Sequence, residues 1–297
     1  MTADHMANTD ARVDAAAMAE FTAEHGGDLP PIAIVIAAYN EERGIGDVVS
    51  AIPAVIAGQD TATVVVVDGA SDDTAAVARK AGALVCDVPV NRGQGAALRL
   101  GYRIARAGGA RYIVTTDADG QYDPADIERI LTPVLRGEAD FVTGSRVLGR
   151  QETYDRVRRL GVHVFARMIS LLTGQRITDT SFGMRAMRAE VTGAVTLKQP
   201  QYQSSELLIG VISRGYKVVE VPATMRLRVA GTTKKGGNLV YGYRYLRVVL
   251  GTWLRERRGA APSGPSMASG PSASPGSASS SSSASPAEPA RGSAKTK

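Results

Sequence analysis

The sequence predicts an α/β fold in which a mostly parallel sheet is flanked by helices. Three observations lead there. Apolar runs such as Ile32–Ala38 and Thr63–Val67 are continuous, as in strands buried on both faces. Polar loops and helical patterns separate these runs repeatedly, the order of right-handed β-α-β units. The runs end in polar clusters at Tyr39–Glu42, Asp68–Thr74 and Asp117–Gln121, on the carboxyl edge where such sheets bind ligands.

The 297 residues are enough for one large or two small domains, and 44% of them are apolar. A single cysteine, Cys86, excludes an intrachain disulfide and a Cys-based zinc site. The three histidines (His5, His25 and His163) are too far apart in sequence to suggest a histidine metal cluster. The net charge of +6 suits anionic ligands such as nucleotides, lipid phosphates or a membrane surface, without singling out nucleic acid. No run reaches the ~18 apolar residues of a spanning helix. The N-terminus lacks the basic-then-apolar pattern of a signal peptide. The expected location is cytoplasmic, with a peripheral place at the cytoplasmic membrane face as a variant of it.

Residues 1–29 are polar, Ala-rich and weakly periodic, and read as a flexible N-terminal extension with a short helix around Val13–Phe21. Pro30-Pro31 opens the folded domain, 30–235. After the first strand a helix should run through Val48, Val49 and Ile52 to Ile56. The second strand, Thr63–Val67, leads through Asp72 and Asp73 into a helix from Thr74, where acids suit the positive end of the dipole. Leu84–Asp87 is a short strand, and Asn91–Gly95 precedes an amphipathic helix, Ala96–Ala107. Helix 124–135, strand 140–146, a helix to Leu172, a polar turn holding Asp179, a helix from Arg188, helix 204–214 and strand 217–221 complete the domain.

The fourth strand, from Ile113, delivers Asp117 and Asp119. In extended backbone residues i and i+2 share a side, so the two carboxylates could meet one hard cation, with the Gln121 amide as a third oxygen. A polar strand end running into a turn is the competing reading. In 236–259, Leu239, Tyr243, Leu246, Leu250, Trp253 and Leu254 follow helical spacing, with Arg244, Arg247, Arg255 and Arg258 opposite. Such a basic amphipathic helix fits a membrane interface or, alternatively, a terminal helix packed on the domain with a solvated Arg face. The Ser/Pro/Ala-rich tail, 260–297, is expected to be disordered.

Taken together, the motifs resemble the inverting family 2 glycosyltransferases with a GT-A (Rossmann-like) fold, on the dolichol- or polyprenyl-phosphate mannosyl/glucosyltransferase branch. They are Ala-Ala-Tyr-Asn-Glu-Glu (37–42), Val-Val-Asp-Gly-Ala-Ser-Asp-Asp-Thr (66–74), Asn-Arg-Gly-Gln-Gly-Ala-Ala (91–97), Asp-Ala-Asp-Gly-Gln (117–121), Gly-Ser-Arg (144–146) and Leu-Arg-Val-Ala-Gly-Thr-Thr-Lys (227–234), in family order. The resemblance covers about residues 32 to 250. The chain departs from the family pattern at Ala37, where a Pro is usual, and at Val67, where a first Asp is frequent.

The resemblance implies that Ala37, Tyr39, Glu41, Val66 and Asp68 meet the nucleoside of a sugar-nucleotide donor. It implies that Asp117, Ala118, Asp119 and Gln121 meet its diphosphate, with Asp117, Asp119 and Gln121 as ligands of Mg²⁺ or Mn²⁺. Arg146 and Arg158 (or Arg159, in a shifted register) match positions near the transferred group and an acceptor phosphate; Arg228 and Lys234 match a basic loop that closes over the diphosphates. Asp119 and Arg146 are then catalytic. Glu206, in Ser-Ser-Glu-Leu, is the candidate base should the acceptor be a hydroxyl, its alternative being a capping or salt-bridging role. The implied activity moves mannose or glucose from a GDP- or UDP-linked donor to a polyprenyl or dolichyl phosphate. A soluble or polysaccharide hydroxyl acceptor, and a non-catalytic nucleotide-sugar or anionic-lipid binding module, are the alternatives.

Overall fold

The computed structural model describes residues 3–152, 156–227 and 238–259. In chain order the elements are α1 (Ala3–His25), β1 (Ile32–Ala38), α2 (Ile45–Ser50), β2 (Val55–Ile56), β3 (Gln59–Asp68), α3 (Thr74–Lys80), β4 (Leu84–Val88), α4 (Gln94–Ala107), β5 (Tyr112–Asp117), α5 (Asp126–Leu135), β6 (Phe141–Gln151), α6 (Arg156–Thr173), β7 (Arg185–Arg188), α7 (Ala189–Ala194), α8 (Gln203–Ser213), β8 (Val218–Met225) and α9 (Asn238–Gly259).

The strands form one sheet in the order β2-β3-β1-β5-β7-β6-β8, with β4 also paired to β3. Strands β1, β3, β4 and β5 run parallel, and β6 runs parallel to β8. Between these two blocks β7 is antiparallel to both neighbours. The continuous apolar runs are explained by burial on both sides. Ile32, Ile34, Ile36, Val65 and Val67 face the core beneath α2, α3 and α5, where Ile45, Ala78, Ile127 and Ile130 meet them. Ala33, Val35, Val64 and Val66 face α4 and its neighbours on the other side. There α4 approaches so closely that a Cβ on Gly101 would lie 2.4 Å from Val35 Cγ1.

The structure departs from the sequence reading at four places. Helix α2 stops at Ser50 instead of Ile56, because Pro53 lacks an amide donor and disfavours helical backbone at Ile52; β2 takes up Val55–Ile56 instead. Strand β7 falls between the polar turn expected to end at Arg185 and the helix expected from Arg188, since four residues with arginine at each end carry too little pattern to be read as a central strand. Residues 3–25 are not a flexible extension but the helix α1, of which the short helix at Val13–Phe21 is the middle. Ala17 and Phe21 seat it, buried against Val64, Cys86 and Leu100. The His25 Nε2 accepts the Val85 N–H at 3.2 Å, so α1 also covers part of β4.

The fourth departure is in α9, which is apolar on two faces. Tyr245, Val248 and Val249 face the domain, with Trp253 donating to the Leu172 carbonyl at 2.7 Å. Tyr243, Leu246, Leu250 and Leu254 are exposed, and Arg255 turns inward. The expected stripe is therefore largely the outer one. The tail, 260–297, lies outside the described residues.

Candidate active site

Three of the expected residues stand in a row. In the sheet register Ala37 pairs with Val66 on one side and with Asp117 on the other. Strand β5 ends at Asp117, so the pleat does not carry on to Asp119; a turn does, with Gly120 at φ 71°. Asp119 is buried and accepts the Gln121 N–H at 3.1 Å. The Gln94 amide, at the first turn of α4, donates to Asp117 at 3.2 Å. A Cβ on Gly183 would sit 2.9 Å from Asp117 Oδ2, so glycine there keeps the space beside the carboxylate clear. Two carboxylates beside a cleared space form a hard-oxygen donor set that fits Mg²⁺ or Mn²⁺. The Gln121 Nε2 donates to the Arg226 carbonyl at 3.3 Å, tying the turn to the end of β8.

Tyr122, not singled out in the sequence, joins the groups electrostatically. Its hydroxyl accepts the Gly183 N–H at 2.8 Å and its ring packs on Phe182. Burial pushes its phenol well above the ordinary value; Asp117 and Asp119 push the same way and Arg146 opposes them. The signal was present, since Tyr122 directly follows the acidic motif.

At the other end of the row Asp68 is buried. Its Oδ2 accepts the backbone N–H of Arg92 at 2.9 Å and of Gly93 at 2.6 Å. Its Oδ1 is buried and has no hydrogen-bond partner among the described residues. Burial raises its carboxyl above the usual range, against the pull of the two N–H groups. The loops after β1 and β3 are laced together beside it. Asn40, at φ 53°, accepts the Ser71 N–H at 2.8 Å; Thr74 Oγ1 accepts the Glu41 N–H at 2.8 Å. Tyr39 lies exposed at this mouth. Asp72, expected to help start α3, accepts the Thr74 N–H at 3.1 Å and the Glu42 N–H at 3.3 Å. The close approach that Gly93 and Gly95 allow is to the chain itself: a Cβ on Gly95 would fall 2.0 Å from the Gln199 carbonyl.

Arg146 is buried, held by Asp179 through Nε at 2.6 Å and Nη2 at 3.3 Å, and donates to Ser181 Oγ at 3.1 Å. It lines a cavity of about 250 Å³ with Val147, Gln151, Arg159, Val162 and His163. Asp179 is thereby committed to structure. The Arg158 side chain, Arg228 and Lys234 lie outside the described residues.

Glu206 is a correction. It is fully buried; its carboxylate accepts the Lys198 and Gln199 N–H groups at 2.9–3.0 Å and pairs with Arg255 at 2.9 Å. A carboxylate holding a loop and a helix in this way is a structural clamp, not a general base. Glu206→Gln should lower the melting temperature while kcat at a permissive temperature stays within about threefold; loss of a general base would cost ~10²-fold or more.

Asp68 generates a pH prediction. Its folded pKa is raised, so ionisation costs stability above that value, and the cost disappears as pH falls through the folded value towards the unfolded one. Asp68→Asn should therefore raise the urea midpoint at neutral pH, and the gain should vanish in acid; an equal or lower midpoint at pH 7 contradicts this.

With the geometry in place, comparison with known proteins is informative. The family model for glycosyl transferase family 2 matches residues 33–195. A dolichyl-phosphate hexose transferase of Haloferax volcanii is 37% identical over 227 residues, 75% of this chain and 96% of that protein. A UDP-N-acetylglucosamine–dolichyl-phosphate N-acetylglucosaminyltransferase of Methanococcus voltae is 26% identical, over 72% of this chain and 92% of its own. Among solved structures, glucosyl-3-phosphoglycerate synthase of Mycobacterium tuberculosis with Mn²⁺, UDP and glucosyl-3-phosphoglycerate is similar at a TM-score of 0.60 and 24% identity, covering 80% of this chain and 83% of that one. At that identity the likeness is one of fold, the GT-A fold. Matched over more than half its length by the family model and closely related to an enzyme of the dolichol-phosphate type, this chain belongs to the family 2 glycosyltransferases, on their dolichol-phosphate branch.

Proposed function

We propose that the protein transfers a hexose, mannose or glucose, from a GDP- or UDP-linked donor to a polyprenyl or dolichyl phosphate, with inversion at the anomeric carbon. One observation carries the reading. The unpartnered Oδ1 of Asp68 and the Asp117–Asp119 pair stand on the same sheet edge, two strands apart. Two strand spacings are about 10 Å, a span that an extended nucleoside diphosphate covers. Asp68 then accepts a hydrogen bond from the base, with Ala37, Tyr39, Glu41 and Val66 around the nucleoside and Ala118 and Gln121 beside the diphosphate.

Asp117 and Asp119 would hold Mg²⁺ or Mn²⁺, which supplies charge neutralisation for the departing diphosphate. The cation-bearing positions Arg228 and Lys234 are assigned to the same leaving group. Arg146, with Arg158 or Arg159, receives the acceptor phosphate. A phosphate monoester has its second pKa near 6 and is already ionised at neutral pH, so it attacks without a base. This agrees with the commitment of both Glu206 and Asp179 to the scaffold, which leaves the hydroxyl-acceptor reading without either carboxylate considered for it. The Haloferax and Methanococcus relatives carry dolichyl phosphate in their names, and the Mycobacterium enzyme was solved with Mn²⁺ and UDP; both support the proposal.

The same reading places the enzyme on a membrane surface. No helix among the described residues is long and apolar enough to cross a membrane. Helices α6 and α9 pack together on α8 through Phe165, Tyr245, Ile169 and Ile209, and their outer residues face away from that cluster. Leu160, Val164 and Leu171 are exposed on α6, and Tyr243, Leu246, Leu250 and Leu254 on α9. The α6 sequence has four arginines and no carboxylate; α9 has five arginines and a single Glu256, which is buried against Arg214. Apolar stripes flanked by arginine suit anionic lipid, each basic residue near such a surface being worth about 1 kcal/mol.

A donor panel of GDP- and UDP-linked mannose and glucose with Mg²⁺ or Mn²⁺ and a short polyprenyl phosphate tests the activity. Asp119→Ala should lower transfer by ~10³-fold or more and remove the divalent-ion dependence of donor binding; activity near wild type sinks the assignment. Leu250→Asp with Leu254→Asp should release the protein from anionic vesicles while leaving turnover of a detergent-dispersed acceptor within about twofold. Equal sedimentation of wild type and variant would remove this face from the proposal.

A further inference from the structure

The Arg92–Gly93 backbone grips Asp68, yet the Arg92 side chain points away from the site, into α1. Its Nη1 pairs with Asp14 at 2.8 Å and donates to the Asp10 carbonyl at 3.3 Å. The side chain is only 9% exposed, and its Nε and Nη2 are buried without hydrogen-bond partners. A buried cation so poorly satisfied depends chiefly on Asp14, the nearer of its two carboxylates (Asp10 stands at 3.9 Å), and loss of that partner leaves a charge that must move. Asp14 is itself fixed by Arg103 at 2.7 Å, and α1 is seated by Ala17 and Phe21. Helix α1 also lies outside the stretch that the family model matches, which begins at residue 33.

We infer that α1 is a positioning element of the nucleotide-base site: Asp14 holds the Arg92 side chain, which fixes the Arg92 and Gly93 N–H groups that aim Asp68 at the base. The inference rests on the reading of Asp68 as the base acceptor. The backbone has little freedom to rearrange on its own. Gly93 sits at φ 92°, and a Cβ on Gly69 would lie 2.2 Å from the Asn91 nitrogen, so the two loops are in direct contact. Shifting Arg92 displaces both hydrogen bonds to Oδ2 together and turns Oδ1 away from the nucleoside. Asp14 and Arg92 are positioning residues, since neither side chain reaches the ligand.

The test exploits the fact that Arg92 contributes to Asp68 through its backbone. Arg92→Ala keeps both N–H donors, so any change in base binding measures orientation alone. Calorimetry with the four common nucleoside diphosphates and Mn²⁺, and separately with inorganic pyrophosphate and Mn²⁺, resolves the base from the diphosphate. Arg92→Ala and Asp14→Ala should each weaken the preferred nucleoside diphosphate about five- to tenfold, the worth of one hydrogen bond, while pyrophosphate affinity stays within about twofold. The double variant should be no weaker than either single one, as expected for residues acting as a unit. Asp14→Glu should recover most of the affinity, and Arg103→Gln, which loosens Asp14 without removing it, should weaken it less than either alanine variant. Equal weakening of pyrophosphate would show a general loss of structure and overturn the inference, as would unchanged affinity in both alanine variants. Asp68→Asn separates the two levels. If it weakens nucleoside diphosphate binding and Asp14→Ala does not, only the role of α1 falls. If it has no effect, or if wild type binds none of the four, the base assignment falls and α1 with it.

Discussion

The site depends on β5 being hydrogen-bonded along both edges. A strand at the centre of a sheet must satisfy its backbone on each side, and β5 does so with β1 in parallel and β7 in the opposite direction. Parallel pairing aligns the carboxyl ends of β1, β3 and β5 on one edge and sets Val66, Ala37 and Asp117 in a single row. The antiparallel β7 closes the other side and brings Phe182 and Gly183 over the Asp117 end. Arg185, on β7, is almost fully buried and donates to the Phe182, Thr180 and Ser204 carbonyls, so a buried cation ties this segment to α8. Asp117 and its neighbours are thus placed by the sheet itself, while the turn at Gly120 decides where Asp119 goes.

Around this edge the buried carboxylates divide into two kinds. Glu206 and Asp179 are each surrounded by donors and hold loops and helices in place. Glu220 belongs with them: it accepts the Thr178 and Asp179 N–H groups, although burial still raises its carboxyl. Asp68 is different, because one oxygen is gripped and the other is left buried without a partner. A polar atom in that state costs free energy unless something comes to meet it. Among the carboxylates along this edge, that asymmetry singles out Asp68.

Much of this was legible in the chain. The apolar runs gave β1, β3 and β5 because strands buried on both faces are mostly apolar, with the buried Thr115 and Thr116 as exceptions in β5. The acidic clusters at their ends marked the edge, since a carboxylate is tolerated only where a buried apolar run gives way to polar partners. Glu206 misled because Ser-Ser-Glu-Leu reads the same whether the carboxylate faces a ligand or a loop amide. The α9 leucines left two readings open for a related reason: helical periodicity shows that a face is apolar, but not whether it turns inward.

The sequence by itself determined the α/β class, the order of the longer strands and helices, and the residue types at the ligand edge, because these follow from local periodicity and from motifs a few residues long. Only the tertiary structure decided which charges are spent on the scaffold and which face the site. It placed Arg92 in the grip of Asp14, 78 positions earlier in the chain, paired Glu206 with Arg255, and threaded β7 between two parallel blocks. Each of these depends on partners distant in sequence, and no local pattern encodes which partner a buried charge will find.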